Sequence, residues 1–358
     1  MNHRPFIVIL AVLYSSTPLL LCQDTSRTTL SAIYPLPILF YTPETGIAAG
    51  AAALYLNRSA NAPRASTVTG DIIYTEKKQI IIELSGDLYF LNGTYRLLTN
   101  LKYQKYPNKF FGIGNETPES KEESYTSLKF LFDAVLYKNI FSHLNAGPAV
   151  RAEDGSIRDV SADGMLASGL LPGSTGGTLA GVGFVANWDS RDNTIAARSG
   201  SLFQITTLVY SSTFGSDYNF TDVQIDARQF FEVAPGQVLA LQGATKFIHG
   251  TPPFYRLAEF GGQNLLRGYF DGRYRDKNSV ALQAEYRLPV WWRFGMVGFV
   301  GAAQVADNVG HFGLKRFWFA GGLGIRFAWN PEERVNLRLD YGIGKNSSGM
   351  YITVTEAF

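Results

Sequence analysis

Residues 335–341 read Val-Asn-Leu-Arg-Leu-Asp-Tyr. In an extended chain successive side chains point to opposite faces. Val335, Leu337, Leu339 and Tyr341 therefore share one face, and Asn336, Arg338 and Asp340 share the other. The design recurs. Residues 279–288 set Val280, Leu282, Ala284, Tyr286 and Leu288 against Gln283, Glu285 and Arg287. Residues 222–228 set Val223, Ile225 and Ala227 against Asp222, Gln224, Asp226 and Arg228. Residues 95–103 and 79–88 repeat it, with Leu97, Leu101 and Tyr103 against Arg96, Asn100 and Lys102, and Ile80, Ile82 and Leu84 against Gln79, Glu83 and Asp87. Alternation over ~10 residues specifies a strand and not a helix. Strands of soluble sandwiches usually run ~5–6 residues, whereas a tilted strand crossing a bilayer needs ~9–11. In lipid every backbone group must be paired within the protein, so strands of this kind close into a barrel with the apolar face outward.

Extending the same reading along the chain predicts an all-β fold, a transmembrane antiparallel barrel of about sixteen strands. The predicted spans are 32–41, 46–57, 66–75, 78–90, 94–105, 125–137, 143–151, 177–188, 200–210, 221–232, 236–248, 278–288, 294–304, 317–329, 334–344 and 348–358. Longer connections at 106–124, 152–176, 211–220, 249–277 and 305–316 alternate with short ones at Lys138-Asn139, Ala234-Pro235-Gly236 and Asn330-Pro331. Bacterial outer-membrane barrels have short periplasmic turns and long outer loops, so both ends of the barrel sequence are expected in the periplasm. Trp291, Trp292 and Phe294 sit at one short turn, where an interfacial aromatic girdle is expected.

Composition agrees. Of 358 residues 17% are charged, well under the ~25% of ordinary soluble domains. The chain is 46% hydrophobic and 14% aromatic, which excludes a disordered protein. Beyond residue 22 there is no apolar run of the ~18 residues a membrane helix requires. A net charge of +2 gives no reason to expect nucleic acid. The single cysteine, Cys22, excludes a disulfide framework and a cysteine-rich metal site. Residues 1–22, with His3, Arg4 and the apolar run Phe6–Tyr14, read as a secretory signal cleaved after Cys22. Residues 23–31 then form a short linker and 32–358 the barrel.

Three segments stand apart from the strand pattern. The first is Gly261-Gly262-Gln263-Asn264-Leu265-Leu266-Arg267-Gly268-Tyr269, followed by Arg273 and Arg275. The second is Asn187-Trp188-Asp189-Ser190-Arg191-Asp192-Asn193, running on to Arg198-Ser199-Gly200. The third is Leu337-Arg338-Leu339-Asp340-Tyr341-Gly342 through to Phe358. Together they resemble the BamA/TamA family of outer-membrane assembly factors, also called the bacterial surface antigen family, over roughly residues 32–358. Leu266-Arg267-Gly268-Tyr269 resembles the signature on that family's sixth extracellular loop, and the segment with Asp189, Arg191, Asp192 and Gly200 resembles a periplasmic turn. Tyr41-Thr42-Pro43-Glu44-Thr45-Gly46 and Phe110-Phe111-Gly112-Ile113-Gly114 resemble members that consist of the barrel alone. Phe358, in phase with Met350, Ile352 and Val354, resembles the signal by which such barrels are recognised for insertion.

The loop also has a direct physical reading. Glycines 261, 262 and 268 permit tight turns, and an inward fold would bury Arg267, which then needs a carboxylate. The resemblance implies an acidic partner on the strands that follow. Glu285 fits by phase and Asp340 is a second candidate. The family's Phe-x-Asp-x-Gly pattern is replaced here by Phe299-Val300-Gly301-Ala302-Ala303. The family's polypeptide-transport-associated modules also have no counterpart in the short segment 23–31.

The resemblance implies a role in inserting or translocating polypeptides at the outer membrane. Its partners would be outer-membrane lipid, client polypeptides and periplasmic accessory proteins, and no cofactor, metal or catalytic residue is expected. An enzyme would need more than His143, His249 and His311, none of which has a nucleophile motif. The adjacent carboxylates Glu153 and Asp154 read as solvated loop residues. The alternative role is a passive pore, with Arg267, Arg273 and Arg275 lining an anion path.

Overall fold

Strands with carboxylates and guanidiniums on one face and aliphatics on the other are stable only where the two faces meet different surroundings. A computed structural model of the chain, describing residues 30–58 and 65–358, resolves this by closure. The barrel strands are β1 (Leu30–Thr42), β2 (Gly46–Arg58), β3 (Ser66–Thr75), β4 (Ile80–Phe90), β5 (Tyr95–Phe110), β6 (Glu123–Asn139), β7 (Leu144–Arg158), β8 (Gly176–Asp189), β9 (Gly200–Tyr210), β10 (Phe220–Ala234), β11 (Gln237–Gly250), β14 (Asn278–Trp291), β15 (Phe294–Ala306), β16 (Trp318–Asn330), β17 (Val335–Gly344) and β18 (Ser347–Val354). Each pairs antiparallel with its neighbours, and β1 meets β18 to complete the ring. A further short pair, β12 (Ala258–Phe260) with β13 (Tyr274–Asp276), lies inside the connection between β11 and β14 and was not predicted. The predicted signal segment and most of the linker lie outside the described residues, and β1 already begins at Leu30.

The barrel is apolar outside and charged inside. Val300 and Leu323 expose 63% and 64% of their surface to the exterior, while Glu285 and Asp340 are fully buried in the interior. Trp291 and Trp292 stand exposed on the outer rim at the short-turn end, as a girdle requires and a soluble core would not allow. The predicted strands are all present, with different ends. Residues 106–110 and 123–124 extend β5 and β6, and 152–158 extend β7, so these strands rise beyond the predicted limits. Glu153 consequently lies on a strand and faces the interior, buried against Arg256 and Lys129. The reading of Glu153 as a solvated loop residue was therefore wrong, because the strand continues past the point where loop composition begins. Asp154, one residue on and facing out, is exposed. At the other end β18 stops at Val354, and 355–358 leave the sheet.

Ring closure is uneven. β5 and β6 are in register from Tyr95↔Lys138 to Phe110↔Glu123, whereas β1 and β18 share the single register pair Tyr41↔Ile352. Val300 lies at the middle of β15 and faces outward. Its replacement by arginine is expected to lower the unfolding free energy in lipid vesicles by ~2–4 kcal/mol, read by denaturant titration. Unchanged stability would mean that this face meets water.

Candidate functional site: a loop locked inside the barrel

The connection from β11 to β14 turns into the barrel and docks on the inner wall. Two glycines make the approach possible. Gly268 has φ +115°, and a Cβ there would stand 2.9 Å from the Ile343 nitrogen. On the facing strand a Cβ on Gly342 would stand 2.6 Å from the Arg267 carbonyl group. The loop therefore lies backbone against backbone on β17. The Gly268 amide donates to the Tyr351 hydroxyl at 3.0 Å. The Tyr269 hydroxyl donates to the Phe319 carbonyl at 3.1 Å and accepts from the Lys345 amide at 2.8 Å. The Tyr269 ring packs with Phe260, Tyr274 and Trp318.

This docking carries Arg267 into the interior with only 1% of its surface exposed. Its Nη2 donates to Glu285 at 2.5 Å and its Nη1 donates to Asp340, so both candidate carboxylates are its partners. The guanidinium lies 3.6 Å over the Phe299 ring, a cation–π contact strengthened by exclusion of water. The family's aspartate on β15 is absent here, and Asp340 on β17 supplies the second carboxylate. Gly301 fills the aspartate's position in the pattern, and a Cβ there would come within 3.0 Å of Leu266. The network extends further than the sequence suggested. Arg287 donates to Glu285 at 2.8 Å, and Arg326 donates to Asp340 at 2.5 Å and to Glu356 at 2.7 Å. Arg338 donates to Thr353 at 2.7 Å and lies 3.6 Å from Asp340. Four guanidiniums thus share three carboxylates, the condition under which buried charge is tolerated. Strand phase places Arg287 and Arg326 inward. Glu356 falls on the predicted last strand in phase with the outward Met350 and Ile352, but the chain leaves the sheet after Val354 and turns it inward.

The rest of the loop is held at the long-loop end. Arg273 lies 4.7 Å over the Phe111 ring and donates to the Thr117 carbonyl at 2.7 Å. Arg275 pairs with Glu259, lies 5.4 Å over Phe110, and its carbonyl accepts from the Gly114 amide at 2.8 Å. Asn115 then ties this segment to the opposite wall. Its side chain donates to the Arg316 carbonyl at 2.8 Å and accepts from the Val305 amide at 2.9 Å. The motifs at 41–46 and 110–114 thereby acquire a purpose as docking surfaces, since Glu44 also accepts from the Asp271 amide at 2.9 Å. Burial raises the pKa of Glu44 and pushes Asp271 well above its ordinary value, with the neighbouring Glu259 and Glu44 charges adding to it for Asp271. Arg267, Arg273 and Arg275 are all engaged within the protein, and none lines an open anion path. Arg256, which the sequence did not single out, is a further anchor, 3.7 Å from both Glu153 and Asp222.

The short-turn end is bridged as well. Arg191 grips Asp189 in a bidentate pair at 2.9 and 2.8 Å. Asp192 accepts from the amides of Arg198 and Ser199 and, across the mouth, from Arg334 at 2.6 Å. Burial opposes ionisation of Asp192, but the Arg334 hydrogen bond and the two amides outweigh it and hold its pKa below the usual carboxylate value. Gly200 opens β9 opposite Phe230. Phe358, off the strand, is buried with Ala197, Phe230, Val238 and Ala240. Met350 and Ile352 face outward on β18. The histidines are dispersed: His143 lies against Trp188 at the short-turn end, while His249 and His311 lie at the long-loop end, His311 bonded to Asp307 at 2.7 Å.

Replacing Arg267 by alanine leaves Glu285 and Asp340 beside Arg287 and Arg326. The expected cost is therefore at the lower end of the ~3–5 kcal/mol for breaking a buried pair, with protease cleavage appearing within 261–269. Unchanged heat stability and protease resistance would contradict the anchoring role. Glu44 and Asp271 have raised folded pKa values, so their stabilising contribution is full below the ordinary carboxylate range and is lost as pH rises through the raised values. Exchange of the Asp271 amide is accordingly expected to slow on mild acidification from neutrality by more than the intrinsic pH effect, whereas slowing by the intrinsic effect alone, or by less, would contradict the assignment.

A family model described as the Omp85 superfamily domain matches residues 65–354. Among solved structures, the chain is similar in fold to BamA from Haemophilus ducreyi lacking POTRA domains 1-3, at 14% identity and a TM-score of 0.66, covering 91% of this chain and 70% of that one. It is also similar to CdiB from Acinetobacter baumannii, at 12% identity and a TM-score of 0.55, covering 92% of this chain and 65% of that one. No curated protein sequence matches it. The matched stretch runs from β3 through the docked loop to the end of β18, and the chain belongs to the Omp85 superfamily.

Proposed function

We propose that this protein sits in the bacterial outer membrane and assists polypeptides to insert into that membrane or cross it, without cofactor or covalent chemistry. The observation that carries the reading is the seam. β1 and β18 meet through one register pair, Tyr41↔Ile352, in a barrel whose other neighbours are paired over most of their length. An unpaired strand edge is a template for another strand, and β-strand addition turns that hazard into a binding mode. In this reading the short-turn end faces the periplasm and the apolar outer face meets lipid. Clients arrive from the periplasm, where accessory proteins supply their capture. A passive pore has no use for a weak seam, and the arginines that would have lined its path are engaged in holding the loop.

Tyr41 and Ile352 lie directly opposite each other, so cysteines at both positions would lock the seam with a disulfide. Depletion of the protein is expected to reduce several other barrel proteins in the outer-membrane proteome. The Tyr41→Cys/Ile352→Cys protein should restore them when reduced and fail when oxidised. A proteome unchanged by depletion, or restored equally by the oxidised protein, would overturn the assembly role.

A further inference from the structure

The short-turn half of the seam is unpaired for a reason written into β1. Pro35 and Pro37 are two residues apart, so their nitrogens lie along the same edge of the strand. Both positions are in register with β2, at Pro35↔Ala53 and Pro37↔Ala51. That pairing is intact only if the intervening Leu36 turns its N–H and C=O to β2, which leaves the proline nitrogens on the edge that faces β18. The seam-facing edge of β1 therefore lacks two donors in succession.

The register shows what those donors would have bound. From Tyr41↔Ile352, an antiparallel ladder continued toward the short-turn end places Leu39 opposite Val354, then Pro37 opposite Glu356 and Pro35 opposite Phe358. Glu356 and Phe358 belong to the segment that leaves the sheet. The departure starts at Thr355, whose φ is +68°, an uncommon conformation for a β-branched residue. Inside the barrel the segment is received at each step. The Thr355 amide donates to the Asn336 carbonyl at 2.8 Å. Glu356 accepts from Arg326 and from Asn336, both at 2.7 Å. The Phe358 carbonyl accepts from Arg287 at 2.9 Å, and its ring is buried beside Phe230 and Val238.

We propose that Pro35 and Pro37 determine where the seam ends: they deny segment 355–358 a pairing edge, and Arg326 and Arg287 capture it inside the barrel. The short-turn half of the β1 edge is thereby held unzipped in the resting protein. It can accept hydrogen bonds at positions 35 and 37 but cannot give them. A strand added there would donate to β1 at these positions and receive nothing back. The use of that edge by a client rests on the assembly reading above, while the architecture of the edge does not.

Leu36 and Ala357 fall opposite each other in the continued register and flank the prolines without replacing them. Cysteines at these two positions, in a Cys22→Ser background, report whether the segment pairs with β1. Two such reporter proteins are compared under mild oxidation, with folding of both confirmed by heat-modifiable migration on a gel. Both carry Glu356→Ala, which frees the segment from Arg326, and one also carries Pro35→Val and Pro37→Val. The proposal expects a shift to the cross-linked band only in the valine protein. Equal cross-linking in both, or none in either, would overturn it. No client takes part in this readout, so its failure would leave the assembly reading standing, and an unchanged outer-membrane proteome would leave the proline edge standing.

Discussion

A guanidinium buried between two carboxylates is the constraint on which the rest of the interior depends. Arg267 is almost completely enclosed, and burying such a group without partners is prohibitive. Its position therefore requires Glu285 on β14 and Asp340 on β17 to converge on one point. That convergence requires the loop backbone to lie flush against β17, which is why residues 268 and 342 are both glycine. Once Arg267 is placed, the remaining loop is held at fixed points. Tyr269 closes an aromatic cluster, Arg273 and Arg275 dock on Phe111 and Phe110, and Asp271 meets Glu44. A connection of this length has no independent reason to be ordered, and the ion-pair network supplies one.

The same network reaches the seam. Asp340 and Glu285 are shared with Arg326 and Arg287, and these two arginines also hold Glu356 and the Phe358 carbonyl. The inward path of the segment after β18 and the inward path of the loop are therefore parts of one ion-pair cluster. At both ends of the barrel a bridge spans the mouth: Asn115 links the 111–122 connection to β15 and the 307–317 connection, and Arg334 links the turn after β16 to Asp192. A ring with only one register pair at its closure is thus held in shape by contacts across its interior.

Much of this was legible in the sequence, for one physical reason. Period-two alternation reports which face of a strand is buried, so strand count and inward residues follow from phase, whereas the expectation of an acidic partner for Arg267 comes from the family resemblance, with Glu285 fitting it by phase. Phase says nothing once a residue leaves the sheet. Glu356, Phe358 and Asn115 are set by long-range partners, 20 to 201 residues away in sequence. Strand ends were also misplaced where polar residues continue the ladder above the apolar belt, as at Glu153 on β7. Pro35 and Pro37 were visible throughout, but their meaning depends on a register whose continuation would set them opposite Phe358 and Glu356.

The Leu266-Arg267-Gly268-Tyr269 segment should be held inside the barrel as firmly as the wall it rests on. Amide hydrogen exchange of the full chain in lipid nanodiscs measures this directly. The Gly268 amide, bonded to the buried Tyr351 hydroxyl, is expected to exchange as slowly as the central amides of β14. Exchange of Gly268 as fast as that of exposed turn residues such as Glu332 would contradict it.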